Sequence, residues 1–240
     1  MREWIKRAGL ALGVDVRSAR HQFAQRLVGH FNRVEQLTLL DVGANVGQFG
    51  LSMFSADFNG RLVSFEPLPG ARAELQNKAA RYPGRWEVSD AFALSDRSGE
   101  ARFNVAANLA SSSFLNQSND MRAVAPFAAK THEIVVRTAR LDDVLYGYVR
   151  PGASIALKID VQGAEGAVLA GARESLGRMR YVMLEQSIAG LYDGQPRYFE
   201  LDETLRLAGF KLLDLEPGFR DPATGELLEF DALYGKEFPA

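Results

Sequence analysis

The sequence contains no cysteine, which excludes disulfide bonds and thiolate metal ligands. It also lacks a long apolar run near its beginning, so we expect neither a cleaved signal peptide nor a membrane-spanning helix, and we expect a cytoplasmic protein. An excess of either charge is missing too, since 28 lysines and arginines stand against 30 aspartates and glutamates, a net charge of −2. Because nucleic-acid-binding domains usually carry a strong basic excess, we expect no nucleic acid partner.

What is present has the composition of one α/β domain. The 240 residues, 47% of them hydrophobic, suffice for a sizeable core. Short apolar runs alternate with segments of helical periodicity, which predicts a doubly wound, mostly parallel sheet with right-handed crossovers. The predicted strands are residues 37–42, 61–65, 86–89, 154–160 and 181–185, and the predicted helices are residues 47–55, 69–81, 164–176 and 198–208. Two further runs, residues 210–215 and 230–234, predict an antiparallel pair at one edge.

An insertion interrupts this alternation. Residues 100–105 and 133–138 have the pattern of strands, and a long polar stretch at residues 108–132 separates them. A loop of this length inside a compact domain is usually functional or disordered. We therefore predict a β-hairpin with a wide tip, whose hydroxyl and amide side chains suit a polyol.

Residues 1–36 precede the first strand and are predicted to form a helical extension to the main domain of residues 37–240. Phe23, Leu27 and Phe31 fall on one helical face. Seven basic against three acidic residues give this segment a charge of 7 − 3 = +4. A basic amphipathic helix can make peripheral contact with a membrane or cover an active site, whereas the alternative is a helix packed on the sheet edge with a solvated basic face. We favour the packed helix.

A glycine-rich turn follows the first predicted strand. The apolar run ends at Asp41, the turn contains Gly43, Asn45 and Gly47, and a helical pattern begins at once. This is how a parallel strand passes into a helix beside a nucleotide-like ligand, because glycine lets the backbone approach that ligand closely. Asn45 stands where a dinucleotide fingerprint has its second glycine, and the carboxylate of Asp41 would repel a pyrophosphate. The turn therefore argues against a nicotinamide-dependent dehydrogenase, whereas Asp41 could pair with a cationic ligand group.

Acidic residues end four of the predicted parallel strands. They are Asp41, Glu66, Asp90 and Asp160, and Glu185 is a fifth candidate. In an open parallel sheet the carboxyl ends of the strands form the crevice in which ligands bind. Glu66 lies near the spacing of a ribose-binding acid, and Asp90 would then lie beside the base.

Taken together, the motifs resemble the FkbM family of S-adenosylmethionine (SAM)-dependent methyltransferases over residues 38–235. The segment Leu157-Lys158-Ile159-Asp160-Val161-Gln162-Gly163-Ala164-Glu165 is the most specific, although the family pattern has glutamate where this chain has Gln162. The other matching segments are Leu40-Asp41-Val42-Gly43-Ala44-Asn45-Val46-Gly47, Phe65-Glu66-Pro67, Ala93-Leu94-Ser95-Asp96, Ser111-Ser112-Ser113-Phe114-Leu115, Arg140-Leu141-Asp142-Asp143 and Gly171-Ala172. The resemblance implies a Rossmann-like class I methyltransferase fold and O-methylation of a sugar, glycolipid, polysaccharide or polyketide-like hydroxyl.

The resemblance also implies which residues bind the cofactor. Asp41, Gly43, Asn45 and Gly47 would line the methionine end of SAM. Glu66 would take the ribose, between its neighbours Phe65 and Pro67. Asp90 with Ala91 would take the adenine.

Three residues are candidates for catalysis. We expect Asp160 nearest the acceptor, as a general base or as a ligand of a divalent cation that activates the hydroxyl. Lys158 precedes it by two residues on the same side of the strand, so it either pairs with Asp160 or orients the acceptor. His132, at the end of the polar loop, is a candidate general base, although a lone histidine in a loop is more often a bystander than a catalyst. If the family's acid at position 162 holds a metal or takes a proton, this chain does without it.

The acceptor is expected to be a small molecule or a glycan. Ser112, Ser113 and Glu185 are the candidates for binding it. The alternatives that remain are a non-catalytic SAM- or nucleotide-binding domain and an N-methyltransferase. The sequence leaves the oligomeric state open, with a homodimer among the alternatives.

Overall fold

The computed structural model describes residues 23–236. Its strands are β1 Leu37–Val42, β2 Arg61–Phe65, β3 Trp86–Val88, β4 Ala93–Leu94, β5 Gly99–Ala106, β6 Lys130–Ala139, β7 Ser154–Ile159, β8 Met179–Ser187, β9 Lys211–Pro217 and β10 Glu229–Gly235. Its α-helices are α1 Phe23–Phe31, α2 Gln48–Ser55, α3 Pro69–Ala79, α4 Asn119–Val124, α5 Leu141–Tyr148, α6 Glu165–Ala170 and α7 Tyr198–Leu207. Short 3₁₀ turns occupy Pro126–Ala128 and Ser175–Arg178.

The central sheet has seven strands in the order β3-β2-β1-β7-β8-β10-β9. The first five are parallel, whereas β10 runs antiparallel to both β8 and β9. This confirms the predicted doubly wound fold with its antiparallel edge pair. The chain leaves β1 for β2 on one side and returns to β7 on the other, so the order of strands reverses between β1 and β7. Ligands bind at such a switch point, outside the carboxyl ends of the strands.

Helix α1 is packed on the sheet, but it lies against one face and not at the predicted edge. Leu27 and Phe31 are fully buried among apolar side chains that include Phe58 and Tyr181. On the basic side of the helix, Arg26 forms ion pairs of 2.6 Å with Asp214 and 2.8 Å with Glu216. Residues 1–22 lie outside the described residues, so the membrane-contact and active-site-cover alternatives for that segment stay predictions. No helix among the described residues is long and apolar enough to span a bilayer.

The predicted hairpin insertion is present and forms a second sheet. Strands β5 and β6 pair antiparallel, and the sequence analysis missed β4, which pairs parallel with β6. The predicted open tip at residues 108–132 is wrong in part, because it contains α4 and because β6 already begins at Lys130. Ser118 caps α4 by accepting a hydrogen bond from the backbone N–H of Met121, at 3.2 Å. Met121 and Ala128 are buried against the loop that follows β8, which explains why the tip is folded.

The predicted helix at residues 164–176 is also shorter than expected. Helix α6 ends at Ala170, and a 3₁₀ turn follows only at Ser175. Gly171 lies so close to the neighbouring chain that a Cβ there would be 1.9 Å from the carbonyl oxygen of Ser95. The backbone therefore leaves the helix where it packs against the segment after β4.

Candidate active site

A cleft opens at the carboxyl ends of β1, β2 and β7, beneath the hairpin insertion. It encloses about 500 Å³, including open solvent at its mouth. Small-ligand sites combine apolar walls with a few placed polar groups, and this cleft has both. The apolar wall includes Phe65, Leu68, Leu94, Phe103 and Phe114. The polar groups are Asn45, Glu66, Ser112, Asp160 and Gln162.

The turn after β1 forms the floor of the cleft. Gly43 has a positive φ of 76°, and a Cβ on it would lie 1.8 Å from the carbonyl oxygen of Asp160. The N–H groups of Gly43 and Ala44 both donate to the carbonyl oxygen of Phe65, at 3.1 Å. Only glycine allows this close approach, so the turn is held between the ends of β2 and β7.

Glu66 reaches this turn from the end of β2. It is 5% exposed, and its two carboxylate oxygens accept hydrogen bonds from the N–H groups of Asn45 and Leu68, each at 2.8 Å. Burial raises the pKa of Glu66 to about 7, against the opposing effect of these hydrogen bonds. Each carboxylate oxygen has a second lone pair, so Glu66 retains acceptor capacity toward the cleft.

Asp41 does not line the cleft, and its predicted contact with a ligand stays a prediction. Its side chain is 0% exposed and forms an ion pair of 3.1 Å with Lys158 on the adjacent strand. It also accepts a hydrogen bond of 3.1 Å from the hydroxyl of Ser64, which in turn accepts one from the indole N–H of Trp86. Because Lys158 already neutralises it below the turn, Asp41 supports the floor of the cleft from beneath.

Lys158 joins the floor of the cleft to Asp160. It is 4% exposed, and its ammonium lies 3.1 Å from Asp41, 3.3 Å from Asp160 and 3.3 Å from the carbonyl oxygen of Gly43. Burial lowers the pKa of Lys158, but the carboxylates of Asp160 and Asp41 outweigh this effect and raise it above its ordinary value. Of the two predicted roles, the geometry favours the ion pair over contact with an acceptor.

Asp160 does line the cleft, as predicted, with 36% of its side chain exposed. One of its oxygens pairs with Lys158, and the other accepts a hydrogen bond of 2.9 Å from the side-chain amide of Gln162. The same amide nitrogen donates to Glu185 at 2.8 Å. Gln162 thus joins two of the predicted site carboxylates, and no spacing in the sequence indicated that link.

Glu185 lies in a strongly acidic neighbourhood. Burial, and then the carboxylates of Asp160, Glu229, Glu165 and Asp231, raise the pKa of Glu185 well above its ordinary value. Asp231 is its direct partner in the β8–β10 register. The acidic side chains of β8 and β10 therefore surround the end of β7 where Asp160 stands.

The two predicted acceptor serines lie at the cleft or directly behind it. Ser112 lines the cleft, and its hydroxyl accepts a hydrogen bond of 3.0 Å from the N–H of Ala106. Ser113 is buried, and its hydroxyl donates to the carbonyl oxygen of Gln162 at 2.6 Å. The insertion is thereby fastened to the loop after β7.

The remaining predicted residues divide between the cleft and other surfaces. Phe65 and Pro67 line the cleft. Gly47 does not: a Cβ there would meet Leu75 and Trp86 of the core instead.

Residues 90 and 91 are exposed outside the cleft, where the N–H of Asp90 donates to the hydroxyl of Tyr148 at 3.3 Å. The backbone turns between this point and β4, so Ala93 and Leu94 reach the cleft in their place. His132 is exposed on β6, opposite Val105 and away from the cleft.

A divalent cation was one of the two alternatives for Asp160, and the described part of the chain offers no ligand set for it. Among residues 23–236, no group of three or more histidine, aspartate or glutamate side chains is placed to hold a metal ion. Asp160 and Glu185 are bridged by the side-chain amide of Gln162.

The sheet order and the position of the cleft define a class I, Rossmann-like methyltransferase fold. Magnesium protoporphyrin IX methyltransferase (ChlM) from Synechocystis PCC 6803, solved with bound SAM, aligns with a TM-score of 0.50 and 11% identity, over 98% of this chain and 92% of that chain. Within that class, residues 41–212 match the family model of the methyltransferase FkbM domain. The chain belongs to the FkbM family.

Two curated relatives align with parts of this chain. The 2-O-methyltransferase NoeI of Sinorhizobium fredii (strain NBRC 101917 / NGR234) is 28% identical over 163 residues, which are 65% of this chain and 66% of NoeI. The AMB antimetabolite synthetase AmbE of Pseudomonas aeruginosa is 30% identical over an alignment of 204 residues that covers 72% of this chain and 9% of AmbE. The chain thus spans just under two thirds of NoeI and less than a tenth of AmbE.

Proposed function

We propose that this protein is a SAM-dependent O-methyltransferase that acts on a hydroxyl group of a small-molecule or glycan acceptor. The observation that carries the proposal is one cleft in which the Gly43 turn, Glu66 and Asp160 lie together. Membership of the FkbM family supports methyl transfer. The relative NoeI, which is by its name a 2-O-methyltransferase, supports oxygen as the atom that receives the methyl group.

The residues of the cleft fit SAM. Gly43 leaves the floor free of a side chain, and Asn45 and Glu66 offer polar atoms beside it. The spare lone pairs of the Glu66 carboxylate suit the two hydroxyl donors of a ribose. Leu94 and Phe65 supply apolar wall on which a base can pack. When it is bound, SAM supplies an electrophilic methyl group on a positively charged sulfur.

We assign to Asp160 the binding and deprotonation of the acceptor hydroxyl. Its exposed carboxylate at the end of β7 can hydrogen-bond this hydroxyl and take its proton. Lys158 and Gln162 each hold one of its oxygens, so its orientation is fixed before an acceptor arrives. The apolar side chains of Phe103 and Phe114 cover the cleft and limit the access of water to the reacting groups.

Asp160→Asn tests this assignment. We expect turnover to fall by about 10²–10⁴-fold, the usual contribution of a general base, while the affinity for SAM changes little. Turnover is measured as S-adenosylhomocysteine release with the best substrate from a panel of glycosides, polysaccharide fragments, macrolide-like alcohols and amines. Full activity of the folded variant would remove Asp160 from the mechanism, and methylation of amines alone would replace O-methylation by N-methylation.

The protonation of Glu66 gives a second test. With a pKa of about 7, its carboxyl is mostly protonated at pH 6 and mostly ionised at pH 8. Only the ionised form offers all its lone pairs to the ribose, so the affinity for SAM should rise about tenfold from pH 6 to pH 8. Calorimetric titration at a series of pH values measures this.

Glu66→Gln is the control for that pH profile, because the amide does not titrate. It should bind SAM more weakly at pH 8 and lack the part of the pH dependence that belongs to Glu66. An identical pH profile in wild type and variant would show that Glu66 does not meet the cofactor.

A further inference from the structure

Gln162 uses all its polar side-chain atoms at the acceptor side of the cleft. Its amide nitrogen donates to Asp160 at 2.9 Å and to Glu185 at 2.8 Å, and its amide oxygen accepts from the hydroxyl of Tyr192 at 3.1 Å. Its backbone carbonyl accepts from Ser113 at 2.6 Å, and its φ of 56° is unusual for a residue other than glycine. The side chain is therefore held from three separate segments of the chain.

The chemistry of the neighbours fixes which way the amide faces. Two carboxylate oxygens lie against the same atom, and only an –NH₂ group can donate a hydrogen to each of them. In the reversed orientation the amide oxygen would face two carboxyl oxygens, and both carboxyl groups would have to be protonated to place a hydrogen in each contact. The hydroxyl of Tyr192 completes the pattern, because it donates to the amide oxygen on the other side.

This amide stands at a point where negative charge is concentrated. Asp160 and Glu185 face it directly, and further carboxylates belong to Glu165 on α6 and to Glu229 and Asp231 on β10. Other elements packed here contribute Lys158 on β7, Asp41 on β1 and the hydroxyl of Tyr192. One oxygen of Glu229 is buried with no hydrogen-bond partner, which shows how little donor capacity the cluster contains.

Two carboxylates that converge on one point are usually joined there by a cation or by a hydrogen donor. Here the –NH₂ group is that donor, and it differs from a metal ion in carrying no net charge. Its nitrogen also presents two hydrogens and no available lone pair toward the carboxylates, so it cannot be a metal ligand in this orientation. The position that a divalent cation would take is therefore filled by the protein itself.

We propose that Gln162 is a positioning residue that takes the place of a divalent cation between Asp160 and Glu185. The bridge orients Asp160 toward the acceptor without a metal. The single exchange Gln162→Glu would place three carboxylates together and convert the bridge into a cation site. The catalytic half of this inference rests on the proposed methyl transfer. The cation-binding half rests only on the geometry of the bridge.

Manganese binding tests the cation half on the full chain. Wild type, Gln162→Glu and Gln162→Met are freed of metal with a chelator and titrated with MnCl₂ by calorimetry. Gln162→Glu should bind one Mn²⁺ per chain with a dissociation constant of about 10⁻⁵–10⁻³ M, the range of weaker carboxylate sites, and Mn²⁺ should raise its melting temperature. Wild type and Gln162→Met should show neither effect. Equal Mn²⁺ binding by wild type, or none by a Gln162→Glu variant that still melts cooperatively, overturns the inference.

Turnover tests the catalytic half of the inference, which is that Gln162 positions Asp160. Wild type should methylate its acceptor equally well with and without chelator. Gln162→Glu should lose about 10–100-fold in kcat in chelator, because Asp160 is no longer held, and should recover when Mn²⁺ is added. Gln162→Met, which also lacks the bridge, should lose activity without recovery, while its affinity for SAM stays close to wild type.

The two halves fail in distinguishable ways. If wild type neither binds SAM nor releases S-adenosylhomocysteine, the proposed function is wrong, and the manganese titration still decides whether Gln162 stands in for a cation. If Gln162→Glu binds Mn²⁺ but its turnover does not respond to the metal, Gln162 does not position Asp160.

Discussion

Replacing Lys158 with methionine is expected to lower the free energy of unfolding by about 3–5 kcal/mol. Lys158 is 4% exposed, and its partner Asp41 is 0% exposed. The variant therefore leaves the carboxylate of Asp41 buried without its cation, and removing one partner of a buried pair costs far more than the pair itself contributes. Chemical denaturation monitored by circular dichroism measures the change.

The double variant Asp41→Asn/Lys158→Met is the matched control. It removes the uncompensated charge, so it should be more stable than Lys158→Met alone. The pH dependence gives an independent check, because the pKa of Lys158 is raised above its ordinary 10.5. The stabilisation by the pair is present at neutral pH and is lost as the pH rises from about 10.5 through the folded-state pKa. A loss below about 1 kcal/mol in Lys158→Met would mean that water reaches the pair.

Replacing Gly43 with alanine is expected to abolish SAM binding, with a loss of affinity of at least about 100-fold. The new methyl group would lie 1.8 Å from the carbonyl oxygen of Asp160, and a φ of 76° is strained for alanine. The turn must therefore move away from the end of β7, which displaces both the floor of the cleft and Asp160. Calorimetric titration with SAM measures the loss.

Gly29→Ala is the control for that substitution. Gly29 lies in α1 on the exposed side, and a Cβ there meets nothing within 4 Å. Alanine at this place should leave SAM binding unchanged and stabilise the protein by about 0.5–1 kcal/mol, because it favours the helix. Wild-type affinity in a folded Gly43→Ala variant would show that the cofactor does not bind over this turn.

The sequence predicted the order of strands and helices well because hydrophobic periodicity is a local signal. Strand β4 was missed because a strand of two residues is too short to show a hydrophobic period. The residues of β6 that pair with it also lie more than 40 residues further along the chain. Helix α4 was missed because the polar composition of its surroundings resembles an open loop. The capping residue Ser118 and the apolar spacing of Met121 and Ala125 were the available signal for it.

The sequence shows which residue types end the strands, but it does not show which contacts these residues make. That Asp41 ends a strand is visible in the sequence, whereas its pairing with Lys158 depends on the register between β1 and β7. Gln162 stood out only as a departure from the family pattern. Its role as a bridge became visible when β8 brought Glu185 beside it, and no local rule connects residues so far apart in the chain.

The most direct test of the central claim is a calorimetric titration of wild-type protein with SAM and with S-adenosylhomocysteine, with Gly43→Ala alongside. We expect one molecule bound per chain with a dissociation constant of about micromolar magnitude for both ligands, and no saturable binding by the variant. If folded wild-type protein shows no saturable binding of either ligand at millimolar concentration, the cleft formed by Gly43, Glu66 and Asp160 is not a SAM site.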